Sequence, residues 1–295
     1  MLRKCAMQLG ASAVAAGIVV GHAAAPQSHC EKIYESGQVL GRGVKLELWK
    51  ANHKNVDVLD LESETIQTGL THIRDFNSSG AKFVHCANKL IRNVLEAALT
   101  QLPNDEDAVV TTPLGHKVKG IDYEEGVSIC GIALVENKLL SEQLQSVLET
   151  TLPFESLIGH LQIQGESGNL TTIDLPAGIE EMHVILLYPE FASFEKIQPA
   201  IKHLLKVGVA ADNIQVVTLV TCPAAADKFS AEFSDVSLVT AAFDTTSDSQ
   251  QRIVPGIGNF EKRYLGEATD APPAQDEAAG TDSESSSWTS WWPFK

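Results

Sequence analysis

The chain has 295 residues, with 38 acidic side chains against 22 basic ones and a formal net charge of −16. That length holds two compact domains at most, and a 44% hydrophobic share excludes wholesale disorder. So large an acid excess argues against a nucleic-acid binder that works by neutralising phosphates. At the amino end, Arg3 and Lys4 precede an uncharged stretch, residues 5–21, rich in Ala, Gly and Val, which runs on into Ala23-Ala24-Ala25-Pro26. Segment 1–30 reads as a targeting segment. A cleaved leader is one reading; a retained membrane anchor, which needs ~20 apolar residues, is the other. The five cysteines, Cys5, Cys30, Cys86, Cys130 and Cys222, form no CxxC pair. They are neither a disulfide framework nor a zinc-ligand pattern. That favours a mitochondrial location, with the secretory pathway as the alternative.

Residues 44–49 (VKLELW) alternate apolar and polar, the pattern of a half-buried strand. After Ser78-Ser79-Gly80, the apolar residues Phe83, Ala87, Leu90, Ile91, Val94, Leu95 and Ala98 recur at helical spacing. Leu102-Pro103-Asn104-Asp105 stops that helix. Next come a strand at 126–130, a helix carrying Leu139, Leu140, Leu144, Val147 and Leu148, a strand at 156–164 and a polar turn at 165–169. The solid apolar run 183–187 is a buried strand. It leads to a helix through Ile197, Ile201, Leu204 and Leu205, stopped by Gly208. A strand at 214–220, a helix from Ala224 and a strand at 237–242 complete the series. Solid apolar strands alternating with helices predict a parallel sheet covered on both faces. There is no internal repeat.

From Glu267 the composition shifts to Ala, Pro, Ser, Gly and acid, with six acidic residues and one basic residue up to Lys295. Segment 267–295 reads as a disordered tail. It ends in Trp288, Trp291, Trp292 and Phe294. Indole rings on a charged, solvated tether suit docking into a protein partner's groove or against a membrane interface. Nine histidines show no HExxH spacing. His85 and Cys130 read as packed side chains, and Gly256-x-Gly258 is too short for a dinucleotide fingerprint.

Six segments, in order, resemble the uracil phosphoribosyltransferase family. They are Thr71-His72-Ile73-Arg74-Asp75 with Ser78-Ser79; Thr112-Pro113-Leu114-Gly115; Leu175-Pro176; Leu219-Val220-Thr221-Cys222-Pro223; Thr240-Ala241-Ala242-Phe243-Asp244; and Ile253-Val254-Pro255-Gly256-Ile257-Gly258. The resemblance implies one phosphoribosyltransferase-like domain over 36–266. Its fold would be α/β, a parallel sheet flanked by helices with a small β-hairpin extension. It also implies pyrimidine salvage as the family's chemistry: transfer of a phosphoribosyl group to uracil with Mg²⁺, giving UMP and pyrophosphate.

The ligand motifs depart from that pattern. The family's phosphoribosyl pyrophosphate loop, Asp-Pro-Met-Leu-Ala-Thr-Gly-Gly-Ser, falls on Tyr188-Pro189-Glu190-Phe191-Ala192-Ser193-Phe194-Glu195-Lys196. Paired glycines let backbone N–H groups wrap a phosphate at a helix start; Phe194 and Glu195 would fill that nest. Glu195 is either a stand-in for the lost anion or an ordinary first-turn residue. The arginine of Pro-Ile-Leu-Arg-Ala-Gly falls on Gly131, within Ser128–Ala133, and the arginine of Tyr-Arg-Asp falls on Gly165, between Gln164 and Glu166. A base-side aspartate becomes Asn259. Loss of the cationic grips removes stabilisation of departing pyrophosphate. A degenerate, non-catalytic relative is therefore expected, acting as a structural or accessory subunit with protein partners or copies of itself. Such a chain would take no cofactor; Mg²⁺ belongs to the active-enzyme alternative. A third reading keeps a pyrimidine-sensing pocket at Ile253, Val254, Gly258 and Asn259.

Overall fold

The computed structural model describes residues 46, 47, 49–248 and 251–267. The expected targeting segment and the aromatic residues Trp288, Trp291, Trp292 and Phe294 lie outside the described residues. Among those described, no helix is long and apolar enough to cross a membrane.

The fold is α/β around a mostly parallel sheet, as expected. Its strands are β1 (Val56–Val58), β4 (Ile129–Val135), β5 (Leu157–Gln164), β6 (Asn169–Asp174), β7 (His183–Leu187), β8 (Glu190–Phe191), β9 (Ile214–Thr221) and β10 (Ser237–Phe243). The order across the sheet is β1-β10-β9-β7-β4-β5-β6, with β8 beside β9. Every pairing is parallel except that of β5 with β6. β4 and β9 are buried along their whole length, which requires cover on both faces. The helices α1 (Glu64–Arg74), α2 (Gly80–Leu99), α3 (Lys138–Glu149), α4 (Phe194–Val207), α5 (Pro223–Glu232) and α6 (Phe260–Leu265) supply it. α2 packs on β9 and β10 and touches α1, α3 and α6, while α4 and α5 pack on each other. Two small hairpins stand apart from the sheet: β2 (Asn104–Thr111) with β3 (Lys117–Tyr123), and β11 (Thr246–Ser247) with β12 (Ile253–Val254).

Local chemistry sets the element ends. The Asn137 side chain accepts the Leu139 N–H at 2.8 Å and so caps α3. Gly208 ends α4 with φ 117°, a left-handed turn in which glycine meets no Cβ penalty.

The strand expected at 44–49 is a correction. Leu46, Glu47, Trp49 and Lys50 are helical. A six-residue alternation also places Leu46 and Trp49 three apart on one helix face, and tertiary contacts choose that geometry. Leu46 is buried, and the Ala51 N–H reaches the Glu47 carbonyl at 3.0 Å. The Trp49 ring stacks on His53 at 3.9 Å, and its indole N–H donates to Asp227 at 2.7 Å.

Candidate functional site

In open α/β sheets, ligands bind beyond the carboxyl ends of the strands. A cavity of about 310 Å³ lies there, where β4 and β7 end. Val135 and Glu136 leave β4; Tyr188, Pro189, Glu190, Ala192 and Ser193 follow β7; Lys196 lies in the first turns of α4. Glu166 comes from the β5–β6 turn, Arg252 from beside β12, and Asn259, Phe260 and Glu261 from the start of α6.

Five of the seven expected phosphate-loop residues therefore meet in one cavity. The other two do not line it. Phe194 is buried against Phe233, ring centroids 5.8 Å apart. Glu195 accepts from Lys228 at 2.5 Å and from the Ser193 hydroxyl at 2.8 Å. Lys228, then its own backbone N–H, then Ser193 hold its carboxyl down to about 2. The first turn of α4 thus carries the chain's own carboxylate, hydrogen-bonded to a helix N–H. Of the expected base-side residues, only Asn259 borders the cavity, and its side chain also caps α6 by accepting the Lys262 N–H at 2.9 Å. Ile253 is in the core, Val254 is half-buried, and Gly258 is exposed.

The charges in this cavity are lopsided. Glu136, Glu166, Glu190 and Glu261 face it, against Lys196 and Arg252. Lys196 is already paired with Glu136 at 2.7 Å, and Arg252 with Asp248 at 2.7 Å. Burial pushes the Glu190 carboxyl up to about 7, against the opposing pull of the Phe260 N–H and Lys196. Burial also raises Glu261, helped by Glu136 and Glu267. Tyr188 moves up as well, through burial and then Glu190 and Glu136.

Of the two positions that match the family's arginines, one lies where the sequence placed it and one does not. Gly131 lies in mid-strand, not in a loop. A Cβ there would sit 2.5 Å from Leu152 Cδ1, so that side chain would have to turn aside to admit one. The residue leaving the carboxyl end of β4 is Glu136, followed by the α3 cap Asn137. The apolar run through Val135 carried that signal. Gly165 does occupy the β5–β6 turn, with φ 75°. Across that turn, Gly168 approaches α4 so closely that a Cβ would lie 2.0 Å from the Lys196 carbonyl oxygen. Sequence reasoning also passed over Arg252 and Glu261.

Elsewhere, Cys130 is buried and its thiol is pushed up to about 12, which makes it inert as a nucleophile. Among the described residues, no group of three His, Cys, Asp or Glu side chains is placed to hold a metal.

The uracil phosphoribosyltransferase family model matches residues 61–266. Uridine kinase-like protein 5 of Arabidopsis thaliana is 32% identical over 199 residues, which is 66% of this chain and 41% of that protein. The chain thus spans about two fifths of the length of that relative. A uracil phosphoribosyltransferase homolog of Danio rerio is 28% identical over 196 residues, 66% of this chain and 72% of that protein. Among solved structures, the AQ2163 protein from Aquifex aeolicus superposes with a TM-score of 0.58 at 18% identity, covering 71% of this chain and 98% of that one. That likeness concerns the fold. With the family model matched over most of the chain, this protein belongs to the uracil phosphoribosyltransferase family.

Proposed function

We propose that this chain is a non-catalytic member of its family that serves as a structural or accessory subunit of a larger, mitochondrial assembly. The observation that carries the reading is the self-neutralised acidic cavity. Phosphoribosyl pyrophosphate is a polyanion, and its binding needs unpaired cations and open backbone N–H groups. Here both cations are paired with the chain's own carboxylates, and four glutamates face the space. The position that matches the family's gripping arginine is Gly131, which brings no cation, and the residue that leaves the strand end into the cavity is the carboxylate Glu136. The alternative, phosphoribosyl transfer to uracil with Mg²⁺, would have to work against that field. Tyr188 also stands where the family loop carries an aspartate, so no carboxylate is offered to a Mg²⁺–pyrophosphate complex from that position, and Glu195 of the same loop is taken up by Lys228.

The subunit role draws on the β2–β3 hairpin. A lone two-stranded hairpin is marginal in water. This one exposes Val109, Val110, Val118 and Ile121, with Leu114 at its turn 84% exposed. An apolar arm of that kind suits contact with another protein or a second copy.

The test uses the full chain with uracil, phosphoribosyl pyrophosphate and Mg²⁺. The expected result is no UMP above a heat-killed control; measurable UMP would overturn the non-catalytic reading. On a native gel of the source extract, the protein is expected to migrate with a large complex. A free monomer or small oligomer there would remove the subunit role. A thermal shift with uracil and no turnover would select pyrimidine sensing instead.

A further inference from the structure

The lining that works against a polyanion in the carboxyl-end cavity also says what that cavity would admit. Its two cations are taken up by Glu136 and Asp248. Among the described residues, Glu166, Glu190 and Glu261 form no ion pair, and they reach the space from the β5–β6 turn, β8 and α6. Four carboxylates against two cations leave the lining net negative when all are ionised.

Tyr188 makes this more than an acidic patch. It is 8% exposed, with its ring 6.0 Å from that of Phe191. Its hydroxyl makes no hydrogen bond among the described residues, although the charges of Glu190 and Glu136 both act on it. Nor is that hydroxyl sealed in the core, as the unmet Ser156 hydroxyl is; it opens on the cavity that Tyr188 lines. A deeply set hydroxyl is costly to leave without a partner. Glu190 receives one long hydrogen bond, from the Phe260 N–H at 3.4 Å, and burial raises its proton affinity. Both groups gain from the same visitor, an N–H donor that carries positive charge.

Size and spread narrow the class. Among the described residues, no three His, Cys, Asp or Glu side chains converge closely enough to hold one metal ion, so the glutamates suit a cation with separated charges. A space of about 310 Å³ takes a small organic molecule. Val135, Leu140, Ile163 and Phe260 give it apolar wall against which methylene groups can lie. We propose that this cavity binds an aliphatic diammonium cation, one ammonium on Tyr188 Oη and Glu190 and the other toward Glu166 and Glu261. The inference rests on the reading that the cavity does not hold phosphoribosyl pyrophosphate.

The probe is 1,4-diaminobutane dihydrochloride, titrated into the full chain by calorimetry at about pH 8, where Glu190 can ionise. Sodium chloride at matched ionic strength and the dicarboxylate adipate are the controls. Saturable binding is expected for the diamine and none for adipate. Glu190→Gln, which keeps the side chain's shape, is expected to weaken binding about tenfold, and Tyr188→Phe, which removes only the hydroxyl, about fivefold. Absence of saturation overturns the proposal, as does affinity unchanged in either variant. Butylamine binding as tightly as the diamine overturns the two-charge class. The same preparation is assayed for UMP. Turnover would overturn the non-catalytic reading, whereas a silent diamine titration without turnover would overturn this inference alone.

Discussion

Two sides of this molecule resemble the same family in different ways. On the anchor side, the family-like residues hold backbone. Arg74 forms two hydrogen bonds to Asp244, at 2.7 and 2.9 Å, and one to the Gly256 carbonyl at 2.9 Å. Asp244 in turn accepts the Gly256 N–H at 2.8 Å. Arg263 donates to the Asp75 and Ser78 carbonyls, at 2.7 and 2.8 Å, and lies over the Phe83 ring. These contacts tie α1, the end of β10 and the loop after β12 into one unit. On the cavity side, the corresponding positions carry carboxylates and closed packing. A motif can staple the fold whatever the neighbouring cavity does, so its presence signals architecture more than activity.

The largest expected effect breaks the anchor. Arg74 and Asp244 have side chains only 17% and 4% exposed. Arg74→Ala would leave Asp244 buried and unpaired, costing about 3–5 kcal/mol in urea unfolding. The same truncation at Lys196, whose pair with Glu136 is partly exposed, is expected to cost about 0–1 kcal/mol. Comparable losses from the two variants would erase the contrast between the sides.

Next comes pH, which acts on the cavity side. The Glu190 carboxyl is raised to about 7 by burial, from an ordinary 4.5. The folded protein therefore holds that proton more tightly than the unfolded chain does. Stability is greatest below the ordinary carboxylate range and falls as pH climbs through about 7. Glu190→Gln removes that dependence. It is expected to raise stability by about 2–3 kcal/mol at about pH 8 and to change little at about pH 5. Parallel pH profiles for wild type and variant would show that Glu190 is solvated.

How far the sequence revealed this depends on the range of the interaction. Apolar runs such as HVILL and IQVVTLV are local, and their strands lie where the runs predict, at His183–Leu187 and Ile214–Thr221. α1 also had a local signal, Ile66, Leu70 and Ile73 on one face, diluted by threonines and Gly69. The alternation of VKLELW was too short to choose between strand and helix, and the Trp49 contacts with His53, Phe243 and Asp227 decided it. The cavity was the least legible part. Glu136, Glu166, Glu190, Arg252 and Glu261 come from five separate segments. Their shared field exists only once the strands are in register.

Gly131 probes the packing in the middle of β4. Gly131→Ala places a methyl 2.5 Å from Leu152 Cδ1, the far end of a side chain that can turn aside, and is expected to cost about 1 kcal/mol. A loss of about 3 kcal/mol or more would show instead that Leu152 is locked in place.

The smallest effect concerns the first turn of α4, at Glu195. Glu195 is held near 2, mainly by Lys228, but its side chain is 50% exposed. Solvent screening limits such a pair, so Glu195→Gln is expected to cost less than about 1 kcal/mol at neutral pH. The folded state favours the ionised carboxylate. This contribution is present above the ordinary carboxylate range and fades as pH falls from about 4.5 toward about 2. The direction is opposite to that of Glu190, although the two residues are five positions apart. Burial without a strong partner drives one carboxyl toward its proton; a lysine and a helix N–H drive the other away. Urea midpoints of the two variants across pH should therefore diverge from wild type in opposite senses, and a shared sense would mean that one of these two environments is misassigned.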